Sequence, residues 1–542
     1  MSTQNSKFTA LILSSLLILS STYIMAQPIP TATYAINIGF SVGPSSFNPI
    51  RARGIWNHEI IRNIFEGLIS INSQGEIIPA QADSWEVSDD GTIWTFKLRR
   101  NAYWSDGEAV TAAQFVRAWQ LALNAPGDRQ DYQLPEIKNS SAIIAGELSI
   151  QALGIRALNG HSLEIILEQK NPIFLEMLFA YTLVPIPLHL SNILDFSQRW
   201  LTIKNSVFNG AYVLSNVELG DDADELMKIT LVANSSYYNN SSTLIRKINF
   251  TAYAGNNRLM VQDFRAGKLH IAYLGLSSSQ SSFILENFKG PLTQESYYGI
   301  NYLLINHQIS ELEKAEIREA ISMSIDRVEI INKILGHNAV PAYSILPPDD
   351  ISGANMLKPH WHELTQEQRI AHARSTLEAA GYSSQKPLVL EVSMRRNITH
   401  ERIITAIHSM LTRIHIDVKI IPTSSPIYFR SLSSGNFQAG RLGWKGAFNI
   451  PQTFTQIFHS NSTYNYANWN DPTYDRLFVD FGRSSDSEAR KRLLNRMLQR
   501  IMDETVIIPL FYDTSITLID EKVTGYHKNP YEAHLYRWLE LH

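Results

Sequence analysis

Cysteine is missing from the chain, since none of its 542 residues carries a thiol. This absence excludes a cysteine nucleophile, a zinc–thiolate site and an iron–sulfur cluster. It also excludes any lipid attached through an N-terminal cysteine, so the chain is not a lipoprotein. A chain of this length buries enough apolar surface to fold without disulfide or metal cross-links. Two or three domains are expected, and length alone permits an enzyme, a receptor or a scaffold.

A strong net charge is missing as well. The chain has 47 Lys and Arg against 51 Asp and Glu, which gives a formal net charge of −4. So mild a charge does not indicate nucleic acid or an anionic membrane surface as a partner. Its composition, 44% hydrophobic and 18% charged, is typical of a soluble globular protein.

Catalytic and cofactor motifs are also lacking. The sequence has no glycine-rich phosphate loop, no GxSxG elbow, no HExxH and no EF-hand spacing. The stretch HWHE, His360 to Glu363, places two histidines at i and i+2 after a proline, a pattern more typical of a surface loop than of a metal site. We therefore expect no cofactor and no metal, and an enzyme is the weaker class.

Long apolar runs are confined to the N-terminus. Lys7 precedes an apolar run from about Phe8 to Met25, and Ala26 stands before polar, proline-rich sequence. Serines dilute the run, which is short for a span of roughly 20 apolar residues. We predict a cleavable secretory signal peptide over residues 1–26, with a membrane anchor as the alternative. The mature chain is then exported, with no membrane anchor of its own.

The remaining sequence predicts a mixed α/β fold. TYAINIGF, from Thr33, alternates as a strand should, and GIWNHEIIRNIFEGLISI has the spacing of an amphipathic helix. The segment 247–274 changes from strand to helix to strand, as in a βαβ unit. ELEKAEIREAISMSIDRVEIINKIL predicts one long helix, and IIPLFYDTSITLI predicts strands near the C-terminus.

Several stretches spread over nearly the whole mature chain follow one another in the order found in a known family. They are FNP (47–49), NIFEGL (63–68), the segment 79–119 with its WTFKLR, WSDG and VTAAQFV, NGAYVL (209–214), FRAGKLHIA (264–272), IREAISMSIDRVEIINKIL (317–335), PAYSILPP (341–348) and RLGW (441–444). Together they resemble the periplasmic oligopeptide-binding proteins, which are solute-binding proteins of the peptide and nickel family that serve ABC importers.

The resemblance implies a class II-like solute-binding fold, in which two α/β lobes joined by extended crossings close over a ligand. By similarity, the first lobe comprises residues 27–66, 189–298 and 514–542, and an extra domain is inserted at 67–188. The second lobe runs over 299–513. A monomer that hands a peptide or peptide-like ligand to a membrane permease is expected. Trp94 and Trp104 are expected to serve core and turn packing in the inserted domain.

The stretch RLGWKGAFN, residues 441–449, indicates which kind of ligand is expected. Taken alone, it favours Trp444 in a core and Lys445 in solvent. The resemblance implies that the matching stretch of the relatives lines the closed cleft. It also implies that, in those relatives, an aspartate three residues after the tryptophan pairs with the ligand's α-amino group. That position is Ala447 here. Since a buried ammonium without a counter-ion is costly, the change should weaken binding of an ordinary free N-terminus.

Further departures point the same way. By the same alignment Arg53 replaces a glutamate, and Lys445 and Gly299 stand where enteric relatives have a cysteine pair. The remaining candidate cleft positions are Tyr302, Arg395, His400, Arg441, Gly443 and Trp444. His400 could instead cap the helix that contains it, and Arg395 and Arg396 are adjacent, so at most one of them points inward. Fixed cations favour carboxylate or phosphate partners, so the ligand is expected to be more anionic than a zwitterionic peptide. The alternative is a plain peptide binder in which another acid holds the α-amino group.

Other classes remain open at this point. They are an exported hydrolase on a similar scaffold and an exported chaperone or adhesion protein that has kept the fold without transport. Within transport, haem, a nickel chelate or a cell-wall fragment are alternative ligands.

Overall fold

The described residues form one mixed α/β body in the computed structural model. The described residues are 34–44, 46–50, 52, 55–123, 137–190, 206–219, 226–274, 288, 292–336, 339–348, 357–446, 450–484, 486–527, 529, 531 and 533–542. The predicted signal peptide, residues 1–26, lies outside them.

The strands and helices of the described residues alternate along much of the chain. The strands are β1 (Ala35–Phe40), β2 (Ile69–Ile71), β3 (Ile77–Pro79), β4 (Ala82–Val87), β5 (Ile93–Leu98), β6 (Ile155–Asn159), β7 (Ser162–Ile166), β8 (Tyr212–Leu219), β9 (Leu226–Ala233), β10 (Lys247–Ala252), β11 (Ile271–Leu274), β12 (Leu292–Ile305), β13 (Ala339–Pro341), β14 (Leu388–Arg395), β15 (Ile416–Thr423), β16 (Ala439–Lys445), β17 (Ile507–Ile519), β18 (Val523–Thr524) and β19 (Glu540–Leu541). The α-helices are α1 (Ile55–Ile64), α2 (Ala112–Leu123), α3 (Ser140–Ile144), α4 (Phe174–Met177), α5 (Asn257–Arg265), α6 (Ala315–Ser324), α7 (Arg327–Ile330), α8 (Gln366–Ala379), α9 (Ile398–Thr412), α10 (Ser425–Ser433), α11 (Gln452–Thr455), α12 (Pro472–Arg483) and α13 (Ser487–Asp503).

An 11-stranded sheet runs through the body in the order β15-β14-β16-β12-β17-β11-β1-β10-β9-β8, with β13 paired to β17 at the side. In its first half, β10 and β11 both pair in parallel with β1, and α5 connects them. The βαβ unit predicted from the sequence is therefore confirmed. We call β8 to β11 with β1 the first half-sheet, and β14 to β16 the second half-sheet.

Two long strands carry the chain between the half-sheets. β12 pairs with β16 over Gly299–Ile305, and β17 pairs with β11 over Ile516–Ile519. β12 and β17 also pair with each other along their length, with a register shift between Ser296 and Ile300. Extended crossings of this kind are what the sequence resemblance implies.

The segment predicted as an inserted domain contains a separate four-stranded sheet, β4-β5-β7-β6. The hairpin between β4 and β5 turns at Gly91, whose φ of 73° is a left-handed conformation that favours glycine. Trp104 is fully buried, and its indole Nε1–H donates to Gln114 Oε1 at 3.0 Å. Trp94 packs on Phe174 with ring centroids 5.0 Å apart. Both tryptophans therefore serve packing, as predicted, while the domain boundaries stay a prediction.

The prediction of one long helix after residue 310 was wrong. The segment divides into α6 and α7, and a π-helical turn follows at Ile331–Leu335. The break occurs at Asp326, whose side chain accepts a hydrogen bond from the Glu329 backbone N–H at 2.9 Å and so caps a new helix.

Candidate ligand-binding cleft

The second half-sheet gathers the predicted cationic residues at one edge. β14 is parallel to both β15 and β16, so the three strands end at the same edge, and α9 and α10 begin just beyond it. Arg395 ends β14, and Arg441 lies on β16. In open α/β sheets, ligands bind outside the carboxyl ends of the strands.

Arg441 is the buried centre of this edge, with 7% of its surface exposed. Its Nη1–H donates to His400 Nε2 at 2.7 Å, and its Nη2–H donates to Asn301 Oδ1 at 2.6 Å. Among the described residues, no acceptor lies within hydrogen-bonding distance of its buried Nε. Burial lowers the pKa of Arg441 to about 10, and the charge of Asp513 opposes that shift. The guanidinium therefore stays charged at neutral pH with part of its donor capacity unused.

His400 is held neutral beside Arg441. Burial, followed by the charges of Arg441 and Arg395, lowers the pKa of His400 to about 4. Because an arginine only donates hydrogen bonds, His400 Nε2 is the acceptor and the ring proton resides on Nδ1. The suggestion that His400 caps its helix was wrong, since the Asn397 side chain accepts from the backbone N–H groups of Thr399 and His400.

Asn301 and Asp513 complete the cluster around Arg441, and neither is predicted from the sequence. Asn301 Nδ2–H donates to Asp513 Oδ2 at 2.7 Å, so a single amide separates the Asp513 carboxylate from Arg441. Burial raises the pKa of Asp513, while the Asn301 hydrogen bond and the Arg441 charge oppose the shift. The one available signal was a lone carboxylate within the apolar strand IIPLFYDTSITLI.

The strand pairing explains where the other predicted residues lie. Gly443 pairs with Asn301, and a Cβ on Gly443 would lie 3.2 Å from Asn301 Oδ1, so glycine leaves room for that amide. Lys445 is exposed at the end of β16 and, by the alternation of a strand, faces the same side as Arg441. These residues share one face of the sheet with the cluster.

Tyr302 and Trp444 lie on the opposite face. Tyr302 is 2% exposed and packs in an apolar cluster with Leu442, so the structure does not bring it next to Arg441. Trp444 is half-buried, its Nε1–H donates to Thr453 O at 2.7 Å, and its ring meets Tyr464 edge-on at 5.1 Å.

Arg395 is half-buried with its guanidinium 5.8 Å from the Phe429 ring centroid, whereas Arg396 is exposed. Arg53 and Ala447 lie outside the described residues. Their roles in the cleft stay predictions.

The HWHE stretch is engaged in pairwise contacts. His362 Nδ1 lies 2.8 Å from Glu363 Oε1, and His360 Nδ1 lies 3.4 Å from Glu319 Oε1. Across the described residues, no group of three or more His, Cys, Asp or Glu side chains is arranged to hold a metal ion. In the same part of the chain, no helix has the length and apolar character needed to span a bilayer.

Comparison with known proteins places this geometry in context. The family model described as bacterial extracellular solute-binding proteins, family 5 Middle, matches residues 76–466. The periplasmic murein peptide-binding protein of Escherichia coli is 30% identical over 491 residues, which cover 90% of this chain and 89% of that protein. The periplasmic oligopeptide-binding protein of Salmonella typhimurium is 28% identical over 486 residues, which cover 89% of this chain and 87% of that protein.

Solved structures resemble the chain over most of its length. An unliganded open form of a periplasmic murein tripeptide-binding protein has a TM-score of 0.79 and 28% identity, covering 94% of this chain and 98% of that one. The oligopeptide-binding protein of Haemophilus influenzae in complex with the peptide RPPGFSPFR has a TM-score of 0.75 and 28% identity, covering 94% and 99%. The predicted α/β fold with two lobes is thereby confirmed.

Proposed function

The chain belongs to the bacterial extracellular solute-binding proteins of family 5, and we propose that it captures peptides between its lobes and delivers them to the permease of an ABC importer. Its relatives are named for periplasmic peptide and oligopeptide binding, over nine-tenths of this chain in the case of the Escherichia coli protein. Members of the family bind solutes, so a catalytic role is not proposed.

The observation that carries the proposal is that, within the described residues, the hydrogen bonding of Arg441 is incomplete. A guanidinium prefers a carboxylate partner, and the Asp513 carboxylate is linked to Arg441 only through the Asn301 amide. Neutral His400 accepts one N–H of Arg441 and thereby orients the guanidinium. Arg441 would bind the carboxylate of a peptide, with His400 and Asn301 fixing its position and Arg395 adding charge at the edge of the site.

Cellular context forms the second part of the proposal. The predicted signal peptide would export the chain, which would then meet the permease as a monomer. The relatives named above are periplasmic proteins, which supports this location.

Native mass spectrometry of the protein purified from the periplasm without denaturant tests the function. We expect bound peptides, because a closed cleft often retains its ligand, and we expect Arg441→Met to lose them. A protein that carries no peptide and does not bind added trialanine or tetraalanine would overturn the proposal.

A further inference from the structure

We propose that Asp513 is the acid that binds the ligand's ammonium group. It would take the role that, by the resemblance, an aspartate at position 447 has in the relatives. This inference rests on the peptide-binding function proposed above. It assigns the ligand to the class of peptides with a free amino group rather than to N-blocked or purely anionic compounds.

Asp513 has an unused acceptor in a partly buried position. In the described part of the chain, Asn301 is the one hydrogen-bond partner of its carboxylate, and it binds Oδ2. Within the same residues Oδ1 accepts no hydrogen bond, and the carboxylate makes no ion pair within 4.0 Å. The residue is half-buried, which leaves part of its surface open.

Other acids of the protein show what a satisfied carboxylate looks like. Asp471 accepts hydrogen bonds from Arg500 and from the backbone N–H groups of Thr473 and Tyr474. Glu66 accepts from Arg537, Tyr237 and Gln81. By comparison, the Asp513 carboxylate has a single neutral amide as its partner in the described residues. Burial already disfavours its charged form, so this one hydrogen bond compensates it poorly.

Glu59 is the competing candidate, because burial raises its pKa to about 7. It is 4% exposed and lies beneath Tyr536 and His534 in the first half-sheet region. A ligand would have to displace those residues to reach it, whereas Asp513 lies on the strand that crosses between the half-sheets, beside Asn301 and Arg441.

Electrostatic logic also favours an ammonium at Asp513. Arg441 and Asp513 are opposite charges held apart by the Asn301 amide, so neither fully compensates the other. A zwitterionic ligand with its carboxylate on the Arg441 side and its ammonium on the Asp513 side would compensate both. A purely anionic ligand would leave Asp513 unpaired and bring it a second negative charge.

The test compares free and N-acetylated trialanine by calorimetric titration of the periplasmic protein stripped of ligand. The unaltered protein should prefer the free peptide by at least about thirtyfold, because acetylation removes one partner of a buried charge pair. Asp513→Asn, which keeps the shape and the Asn301 contact, should abolish that preference. Glu521→Gln, which removes an exposed carboxylate from the segment after β17, is the matched control and should retain it.

The outcomes separate this inference from the proposed function. Equal binding of both peptides by the unaltered protein would overturn the role of Asp513 without needing any variant, while leaving peptide capture intact. An equal loss of both peptides in Asp513→Asn would likewise overturn it, because the residue would then act by positioning Asn301 and Arg441. Failure of the unaltered protein to bind either peptide would overturn the proposed function and this inference together.

Discussion

Two buried arginines of the same half of the molecule, Arg327 and Arg441, have similar burial and different partners. Arg327 is 2% exposed, and each of its three guanidinium nitrogens donates a hydrogen bond. Its Nε–H donates to Ala342 O and Pro509 O. Its Nη1–H donates to Ser322 O, and its Nη2–H donates to Ser322 Oγ. Its guanidinium also lies 4.9 Å from the Tyr343 ring centroid. Arg441 is 7% exposed, and in the described residues its Nε lacks an acceptor.

Burial alone therefore does not identify a binding residue. A buried donor without an acceptor costs free energy, so a fold keeps few of them. At Arg327 the carbonyl groups of the neighbouring strands and loops satisfy the guanidinium, which makes it part of the core. At Arg441 the deficit lies where three strands end, and a ligand carboxylate can remove it.

Removal of the core arginine is expected to destabilise the protein most. Arg327→Met should lower the free energy of unfolding by about 3 kcal/mol or more, because it strips several buried carbonyls of their donor at once. Urea unfolding followed by tryptophan fluorescence measures the loss. The exposed Arg396→Met is the control and should change stability by less than about 0.5 kcal/mol. A variant at 327 as stable as the control would show that the carbonyls find other donors.

Removal of the cleft arginine is expected to weaken binding rather than folding. Arg441→Met should lower trialanine affinity by at least about thirtyfold while leaving the unfolding free energy within about 1 kcal/mol. Stability is expected to change little because His400 and Asn301 each lose one donor, while the cost of the buried Arg441 Nε without an acceptor in the described residues is removed as well. Arg441→Lys should recover part of the affinity, since it restores the charge without the planar fork. If Arg441→Met unfolds as readily as Arg327→Met, the distinction between the two arginines is wrong.

A smaller effect concerns pH. Burial and two neighbouring cations hold the pKa of His400 at about 4, below the usual value near 6.5. The stability that this neutral histidine contributes is present above about pH 6.5 and is lost as pH falls toward about 4. A bound carboxylate would raise the pKa of His400, so binding takes up protons and tightens as pH falls.

Calorimetry in buffers of different ionisation enthalpy measures that proton uptake, and His400→Gln should remove it. The charged groups that face His400 are Arg441 from β16 and Arg395 from β14, with Asp513 behind Asn301. His307 and His534 also have lowered pKa values, but they contact Val506 and Tyr526 instead. Their effect on stability should persist in His400→Gln, and proton uptake that persisted there would exclude His400 as its source.

Arg441 and His400 are predicted from the sequence as cleft residues. Short stretches that match the family align this chain with its relatives and so indicate which positions line the cleft. Periodicity predicts the βαβ unit, and the resemblance to the family implies the extended crossings between the lobes. The sequence does not predict the partners of Arg441. Asn301 and Asp513 are 212 residues apart, and their contact depends on the pairing of β12 with β17.

Strand register also explains the placement of Tyr302. Neighbouring side chains of a strand point to opposite faces, so Asn301 meets Arg441 while Tyr302 enters the apolar cluster behind the sheet. A register shift between Asn301 and Tyr302 changes the pairing with β17 at this point. A shift of one residue changes the face of the sheet on which a side chain lies. The order of matching stretches along the chain does not predict the face with that precision.

Removal of the exposed cation at the end of β16 is expected to have only a small effect on binding. Lys445→Ala should reduce trialanine affinity by less than about threefold, because an exposed charge is screened by solvent and salt. Arg396→Ala, an exposed cation beyond β14, is the matched control and should have a similarly small effect. Calorimetric titration at low and high salt measures both.

Lys445 also separates the two ligand hypotheses. If the ligand is anionic, Lys445 is one of the cations that hold it, and its removal should release the ligand, with a loss of more than about tenfold that high salt reproduces. If the ligand is a free-amine peptide, Arg441 and Asp513 satisfy its two charges, and Lys445 contributes little. A large loss at Lys445 together with no preference for the free over the acetylated peptide would favour the anionic ligand, because the exposed cation would then matter more than the buried acid.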